Sequence, residues 1–197
     1  MALQKSITLT ALQTQQIESF KKSLLEYGDR LNLFSRSGQE LEFLLKESLE
    51  TAQMLAPFFS TTEVLDLGSG NGFPGIVCGV LYPNTSFVLC ERSRKRAEFL
   101  KQTLFQLKCT NVKVLCQPAE ELKARFSLIL SKATGPLNQV LNLLENLLDE
   151  SGTAILWKSP NWKQAWPENA PFSANVLKSY SIEGKKRILL QIKKPLI

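Results

Sequence analysis

The 197-residue chain contains no histidine. Its absence excludes any mechanism with histidine as general base and removes the commonest metal ligand. Four cysteines, Cys78, Cys90, Cys109 and Cys116, form no C-x-x-C pair, so no zinc site is expected. They read as small buried hydrophobes of a reduced, cytosolic protein. No run of 18 apolar residues occurs, so no membrane span is expected. The opening Met1-Ala2-Leu3-Gln4-Lys5-Ser6 lacks the apolar stretch of a signal peptide. No G-K-[ST] lysine is present for a pyrophosphate, and no internal repeat or low-complexity segment stands out.

Acidic residues are scarce at one end. Residues 157–197 hold 8 Lys/Arg against 2 Asp/Glu, whereas residues 1–156 hold 16 of each. The net charge of +6 therefore sits in the last 41 residues. A second basic run, Arg92, Arg94, Lys95 and Arg96, lies in mid-chain. Such placement suits a polyanion such as RNA, and a solvated face that confers solubility explains it equally well. The length fits one domain able to bury roughly 70% of its unfolded surface.

What the chain does have is glycine in one place. Val64-Leu65-Asp66-Leu67 reads as a short buried strand, and four glycines (Gly68, Gly70, Gly72 and Gly75) follow within eight residues. An apolar run, Ile76 to Leu81, comes next, giving strand, tight loop and helix. A dinucleotide fingerprint is G-x-G-x-x-G, but position 73 is Phe and the third glycine falls at 72. Asp66 stands two residues before the first glycine, placed to hold the loop or to meet a cationic ligand. An acid-flanked D-x-G-x-G-x-G after a strand resembles motif I of the class I S-adenosylmethionine (SAM) methyltransferases. The plain alternative is a glycine-rich turn with no ligand.

Around this stretch the pattern is regular. Thr10 is a candidate N-cap, and Ile17, Phe20, Leu24, Tyr27 and Leu31 form one helical stripe ending near Asn32. After a polar loop, Asn32 to Gly38, a second helix is expected from about Gln39 to Ala56, stopped by Pro57. Its inward residues are Leu41, Leu44, Leu45, Leu49, Ala52 and Leu55. Strands are then predicted at Val64–Leu67, Phe87–Cys90, Val112–Cys116, Phe126–Leu130 and Ala154–Trp157. Helices are predicted at Phe73–Leu81, Ser93–Leu107, Ala119–Lys123 and Pro136–Asp149. Ser159–Pro171 reads as a loop or a poorly formed helix. Strands at Ala174–Ser181 and Arg187–Lys193 close the chain about a turn at Glu183-Gly184-Lys185. The expected architecture is α/β: a mainly parallel seven-stranded sheet with helices on both faces and an N-terminal helical cap. It forms one domain, with the cap over residues 1–58 and the α/β core over 63–197.

In such a sheet a ligand sits beyond the carboxyl ends of the strands, at the switch in strand order. Gly68 to Gly72 follow the first strand there. Glu91 ends the second, where it is placed either to accept from ribose hydroxyls or to pair with Arg92 or Arg94. Gln117-Pro118-Ala119-Glu120 follows the third and could border an adenine. Ser131-Lys132-Ala133-Thr134-Gly135-Pro136 follows the fourth, where Lys132 is either a site residue or a solvated one.

Over nearly its whole length the chain resembles the GidB (RsmG) family of bacterial 16S rRNA guanine-N7 methyltransferases. The two-helix cap, Asn32-Leu33, Asp66 to Ile76 with its Phe73-Pro74-Gly75-Ile76 ending, and Lys95 to Leu100 carry the likeness. Ala119-Glu120, Ser131-Lys132-Ala133, Leu156-Trp157-Lys158 and Arg187 to Leu190 add to it. The resemblance implies the class I SAM-dependent methyltransferase (Rossmann-like) fold, with SAM held at Gly68, Phe73, Ala119, Glu120 and Lys132. Asp66, Gly70, Gly72 and Glu91 complete the expected cofactor set. The implied acceptor is a guanine of the decoding-centre hairpin of 16S rRNA. The family usually has arginine at Lys132 and often a histidine near Lys46-Glu47-Ser48, and this chain departs at both. Guanine N7 is a lone pair without a proton, so the missing histidine does not preclude the chemistry. Asn32, Ser131 and Lys132 are the candidate catalytic residues, with Asn32 read equally as a helix C-cap. A cytoplasmic monomer without metal or membrane partner is expected. The alternatives are an inactive RNA-binding protein of the same fold and a methyltransferase for another RNA, a protein or a small molecule.

Overall fold

A computed structural model describes residues 8–31, 33, 38–59 and 63–195. Helix α1 (Ala11–Leu31) starts with a reciprocal cap. The Gln13 N–H donates to Thr10 Oγ1 at 3.2 Å, and the Thr10 N–H donates to Gln13 Oε1 at 3.0 Å. Its stripe buries Ile17, Phe20 and Leu24, with Tyr27 and Leu31 at the margin. Helix α2 (Gly38–Leu55) runs into a 3-10 turn, Ala56–Phe58, at Pro57. The expected loop Asn32 to Gly38 lies almost wholly outside the described residues.

The core alternates as expected: β1 (Val64–Leu67), α3 (Gly75–Leu81), β2 (Phe87–Cys90), α4 (Arg94–Leu107) and β3 (Val112–Leu115). Then come β4 (Phe126–Lys132), α5 (Leu137–Leu147), β5 (Leu148–Lys158), β6 (Ser173–Ile182) and β7 (Lys185–Lys193). The strand order is β3-β2-β1-β4-β5-β7-β6. The first five strands pair in parallel, and β7 lies antiparallel between β5 and β6. The order reverses between β1 and β4, which opens a crevice there. Side-chain alternation divides the core. Val64, Phe87, Leu89, Leu128 and Leu130 face α1 to α4, while Leu65, Leu67, Val88 and Ile129 face α5.

Helix α1 is tied to the core through the open ends of two other helices. Gln13 Nε2 donates to the carbonyls of Val80 and Leu81 at 3.3 Å, and Gln16 Nε2 to that of Leu107 at 2.8 Å. These carbonyls have no partner within their own helices. The Phe20 ring packs on Phe73 with centroids 5.1 Å apart, so the cap touches the glycine loop directly.

Several boundaries differ from expectation. Helix α5 stops at Leu147, and β5 begins at once with Leu148, six residues before Ala154. Leu148 is fully buried and pairs with Phe126, and this non-local pairing outweighs the local turn signal of Ser151-Gly152. The short helix after β3 is only a 3-10 turn, Ala119–Glu121. The Ser159–Pro171 stretch holds a 3-10 turn, Trp162–Ala165, with Trp162 and Trp166 packed edge to face at 5.5 Å. The closing hairpin turns on Glu183 and Gly184 alone, both at positive φ (50° and 76°).

Cys78, Cys90 and Cys109 are buried as expected, but Cys116 is exposed at the end of β3. Burial pushes the Cys90 thiol up to about 12 and the Cys109 thiol to about 11. Among the described residues no helix is long and apolar enough to cross a membrane, and no Cys/Asp/Glu cluster could hold a metal.

Candidate active site

The glycine loop is shaped by the strands beside it. The N–H groups of Gly68 and Ser69 both donate to the Cys90 carbonyl at 3.0 Å, pinning the loop to the end of β2. Ser69 Oγ donates to the Asp66 carbonyl at 2.9 Å. Gly68 adopts φ +71°, and a Cβ there would lie 2.4 Å from Thr134 Cγ2. Both the backbone and the space therefore demand glycine.

Two carboxylates hold this loop in different ways. Asp66 is 1% exposed, and its Oδ2 accepts the Gly75 N–H at 3.2 Å, tying β1 to the start of α3. Burial pushes its carboxyl up to about 7. Asp66 is absent from the cavity wall, so of the two roles open to it the structure supports holding the loop. Gly72 likewise faces inward: a Cβ there would meet Ile76 Cδ1 at 2.8 Å and Phe20 Cζ at 3.1 Å. Neither residue touches the cavity, which corrects their expected place as direct cofactor contacts.

Glu91 does face the cavity. Its Oε2 accepts the Gly70 N–H at 2.9 Å, and its Oε1 accepts the Ser93 N–H at 2.7 Å. The carboxylate thus braces the loop and caps α4, where the Ser93 side chain makes no capping bond. An ionised carboxylate has about four acceptor positions, so roughly two remain for hydroxyl groups.

Beyond the loop lies a cavity of about 750 Å³. This is within the range of roughly 300–1,000 Å³ usual for small-molecule and cofactor sites. Gly68, Gly70, Phe73, Glu91, Ala119, Glu120 and Lys132 all line it, matching seven expected positions. Leu122, Val140 and Leu143 add an apolar wall, while Arg92 and Arg96 bring positive charge to it. Apolar surface for a flat base, a carboxylate for ribose hydroxyls and an open backbone loop form a donor and acceptor set that fits SAM.

Of the two catalytic candidates among the described residues, Ser131 does not line the cavity. Ser131 is 3% exposed, and its Oγ is 2.8 Å from Thr134 Oγ1, which in turn donates to the Leu67 carbonyl at 2.6 Å. That network consumes the hydroxyl, so the expected guanine contact through Ser131 is corrected. Asn32 lies outside the described residues. Its neighbour Leu33 lines the cavity, and the Leu33 carbonyl accepts from Asn71 Nδ2 at 2.9 Å.

Lys132 remains in the wall, but it is no solvated loop residue. Its side chain is 12% exposed, and Nζ lies 2.7 Å from Glu47 Oε2. Burial lowers its pKa, and Glu47 is the main opposing influence. Nζ also stands 5.7 Å from the Phe73 ring centroid. Glu47 was not foreseen as a site residue, although helical spacing puts it on one stripe with Leu44 and Thr51, where a charge is out of place. Thr134 lies in the segment expected at the site, but nothing local marks its bond to the Leu67 carbonyl.

A family model described as GidB, rRNA small subunit methyltransferase G, matches residues 13–188. The ribosomal RNA small subunit methyltransferase G of Borrelia garinii subsp. bavariensis is 32% identical over 147 residues, 73% of this chain and 71% of the relative. The protein of the same name from Borrelia duttonii is 28% identical over 191 residues, covering 93% and 90%. Among solved structures, precorrin-6y C5,15-methyltransferase from Geobacter metallireducens GS-15 superposes with a TM-score of 0.60 at 15% identity, over 77% of this chain and 89% of that one. That likeness is one of fold.

Proposed function

The chain belongs to the GidB family, the rRNA small subunit methyltransferases G, and on that premise we infer that its acceptor is N7 of a guanine in 16S rRNA. It is a SAM-dependent rRNA methyltransferase with the class I methyltransferase fold. The decoding-centre hairpin is the proposed location of the guanine, and a cytoplasmic monomer the proposed form of the enzyme.

The observation that carries this reading is the cavity at the β1/β4 switch, with the Gly68–Gly70 backbone on one side and Glu91 beneath it. SAM supplies a methyl group activated by a sulfonium. Glu91 would accept the ribose hydroxyls, Ala119 and Glu120 would border the adenine, and the open face of Gly68 and Gly70 would receive the amino-acid end. Phe73 and Lys132 close the side next to the cap. Guanine N7 carries no proton, so the chain needs no general base, consistent with its lack of histidine. Its residues then act by proximity and orientation, which can contribute about 7–11 kcal/mol in the best cases. N7 is on the edge of the base, so an unstacked guanine in a loop is the fitting substrate.

The basic residues have a role in this reading as well. Arg92 and Arg96 stand at the cavity, and Lys185, Lys186 and Arg187 extend along the start of β7 toward α2. Such a surface draws the phosphate backbone to the site. The test is incubation with methyl-labelled SAM and 16S rRNA that lacks its own modification, followed by mapping of the label. Label at a single guanine N7 is expected. Label on no RNA, or on another atom, overturns the reading.

A further inference from the structure

One buried charge cluster is left over from the account of cofactor binding. Glu47 lies on α2 with its side chain 2% exposed, more than most charged groups are ever buried. Its Oε2 meets Lys132 Nζ at 2.7 Å, and its Oε1 accepts the Tyr180 hydroxyl at 3.0 Å. Arg187 Nε stands 4.0 Å from the same Oε1. Four elements, α2, β4, β6 and β7, therefore converge on one carboxylate. Of these partners only Lys132 belongs to the cavity wall.

We propose that Glu47 is a positioning residue of the methyl-transfer site, fixing the Lys132 ammonium in the wall and cancelling its charge toward a cationic ligand. The inference rests on the SAM reading above. Its logic is electrostatic. A sulfonium carries a positive charge into the cavity, and after transfer that charge resides on the purine. An uncompensated ammonium in the same low-dielectric wall repels both. A buried ion pair adds no net charge, and it keeps the lysine stem and head in one place against Phe73. Glu47 does not face the cavity itself, so its action passes through Lys132.

The charged and titratable groups that face Lys132 are Glu47 on α2, Asp66 on β1 and Arg187 on β7, while Tyr180 on β6 faces Glu47. Glu47 raises the lysine's proton affinity and Arg187 lowers it. Replacing Glu47 by Gln keeps the shape and an acceptor for Tyr180 but removes the compensating charge. The lysine then loses its proton at lower pH, and its repulsion disappears as pH rises.

The decisive measurement is calorimetric affinity for SAM and for S-adenosylhomocysteine, the neutral thioether, between pH 6 and pH 9. Relative to wild type, Glu47→Gln is expected to weaken SAM about tenfold at pH 7 and the thioether by less than about threefold. The SAM deficit should close toward pH 9. The double variant Glu47→Gln, Lys132→Met removes both charges and should return the ratio of the two affinities to that of wild type. Equal losses for both ligands, or a deficit independent of pH, overturn the proposal and leave Glu47 a structural tie. Failure of the wild-type protein to bind either ligand overturns the SAM reading instead, and with it this inference. Should Glu47→Gln not fold, an unaltered affinity ratio in a Lys132→Met variant that folds also overturns it, because no ammonium charge would then have been felt.

Discussion

Glu91 Oε2 accepts the Gly70 N–H at 2.9 Å, so the carboxylate that ends β2 holds the loop that ends β1. The two residues stand 21 apart in sequence, and parallel pairing of their strands sets them side by side. The same carboxylate is the acceptor proposed for the ribose. One group thus shapes the loop before the ligand arrives and binds the ligand afterwards.

Glu91→Gln should therefore weaken SAM binding more than it unsettles the fold. Hydrogen bonds to charged groups contribute about 1.5–3 kcal/mol, so an affinity loss of about ten- to a hundredfold is expected. Titration calorimetry with SAM measures it, and unchanged affinity would remove Glu91 from the site.

Gly70→Asp separates folding from binding. Gly70 has φ +51°, a conformation aspartate tolerates better than most residues. A Cβ there meets only the Gly68 carbonyl oxygen, at 3.7 Å. The variant should melt within a few degrees of wild type and show no SAM binding by calorimetry. Retained affinity would refute the assignment of the loop.

The basic hairpin calls for a narrower substitution than its charge suggests. Arg187 approaches Glu47, so altering it disturbs the buried cluster. Lys185 and Lys186 are exposed, although Lys185 Nζ sits 4.7 Å from the Phe43 ring centroid. Changing both lysines to Gln should weaken RNA binding and lower the slope of log affinity against log salt by about 1.4, at roughly 0.7 per contact with single strands. An unaltered slope, measured by filter binding across a salt series, would assign the hairpin to solubility.

Asp66 makes stability depend on pH. Burial raises its carboxyl from 3.8 to about 7, so the folded protein prefers the protonated form. Its contribution is fully present below 3.8 and is lost as pH rises through about 7. Asp66→Asn keeps an acceptor for the Gly75 N–H and removes this titration. Thermal melts should show wild type losing several degrees more than the variant between pH 5 and pH 8. Parallel curves would mean that Asp66 does not carry the proton.

Much of this was readable from local pattern. Period-two and period-3.6 spacing marked most of the helices and strands to within a few residues, because each repeats the geometry of its own backbone. The Phe126–Leu130 run, apolar but for Ser127, fits a central strand, and β4 is fourth of seven in the sheet. The Asp66-to-Gly75 spacing located the loop, since a chain can make so tight a strand-to-helix turn only with glycine at positive φ. Seven of the expected cofactor positions line one cavity.

The rest needed the third dimension. Asp66 and Gly72 belong to the same motif as Gly68 and Gly70, yet they face the core, because the direction of each group depends on what α3 and the cap press against it. Ser131 is a loop-end hydroxyl in sequence and a spent one in the fold, held by Thr134. Residues 47 and 132 look unrelated along the chain, and only the packing of α2 across the end of β4 makes them an ion pair. Local pattern set the kind of fold, the strand that ends in the ligand loop and the charge of the tail, since these follow from backbone periodicity, glycine and composition. Tertiary structure alone decided which side chains reach the cavity and which charges cancel. Those depend on distances between segments far apart in sequence, and no local pattern records them.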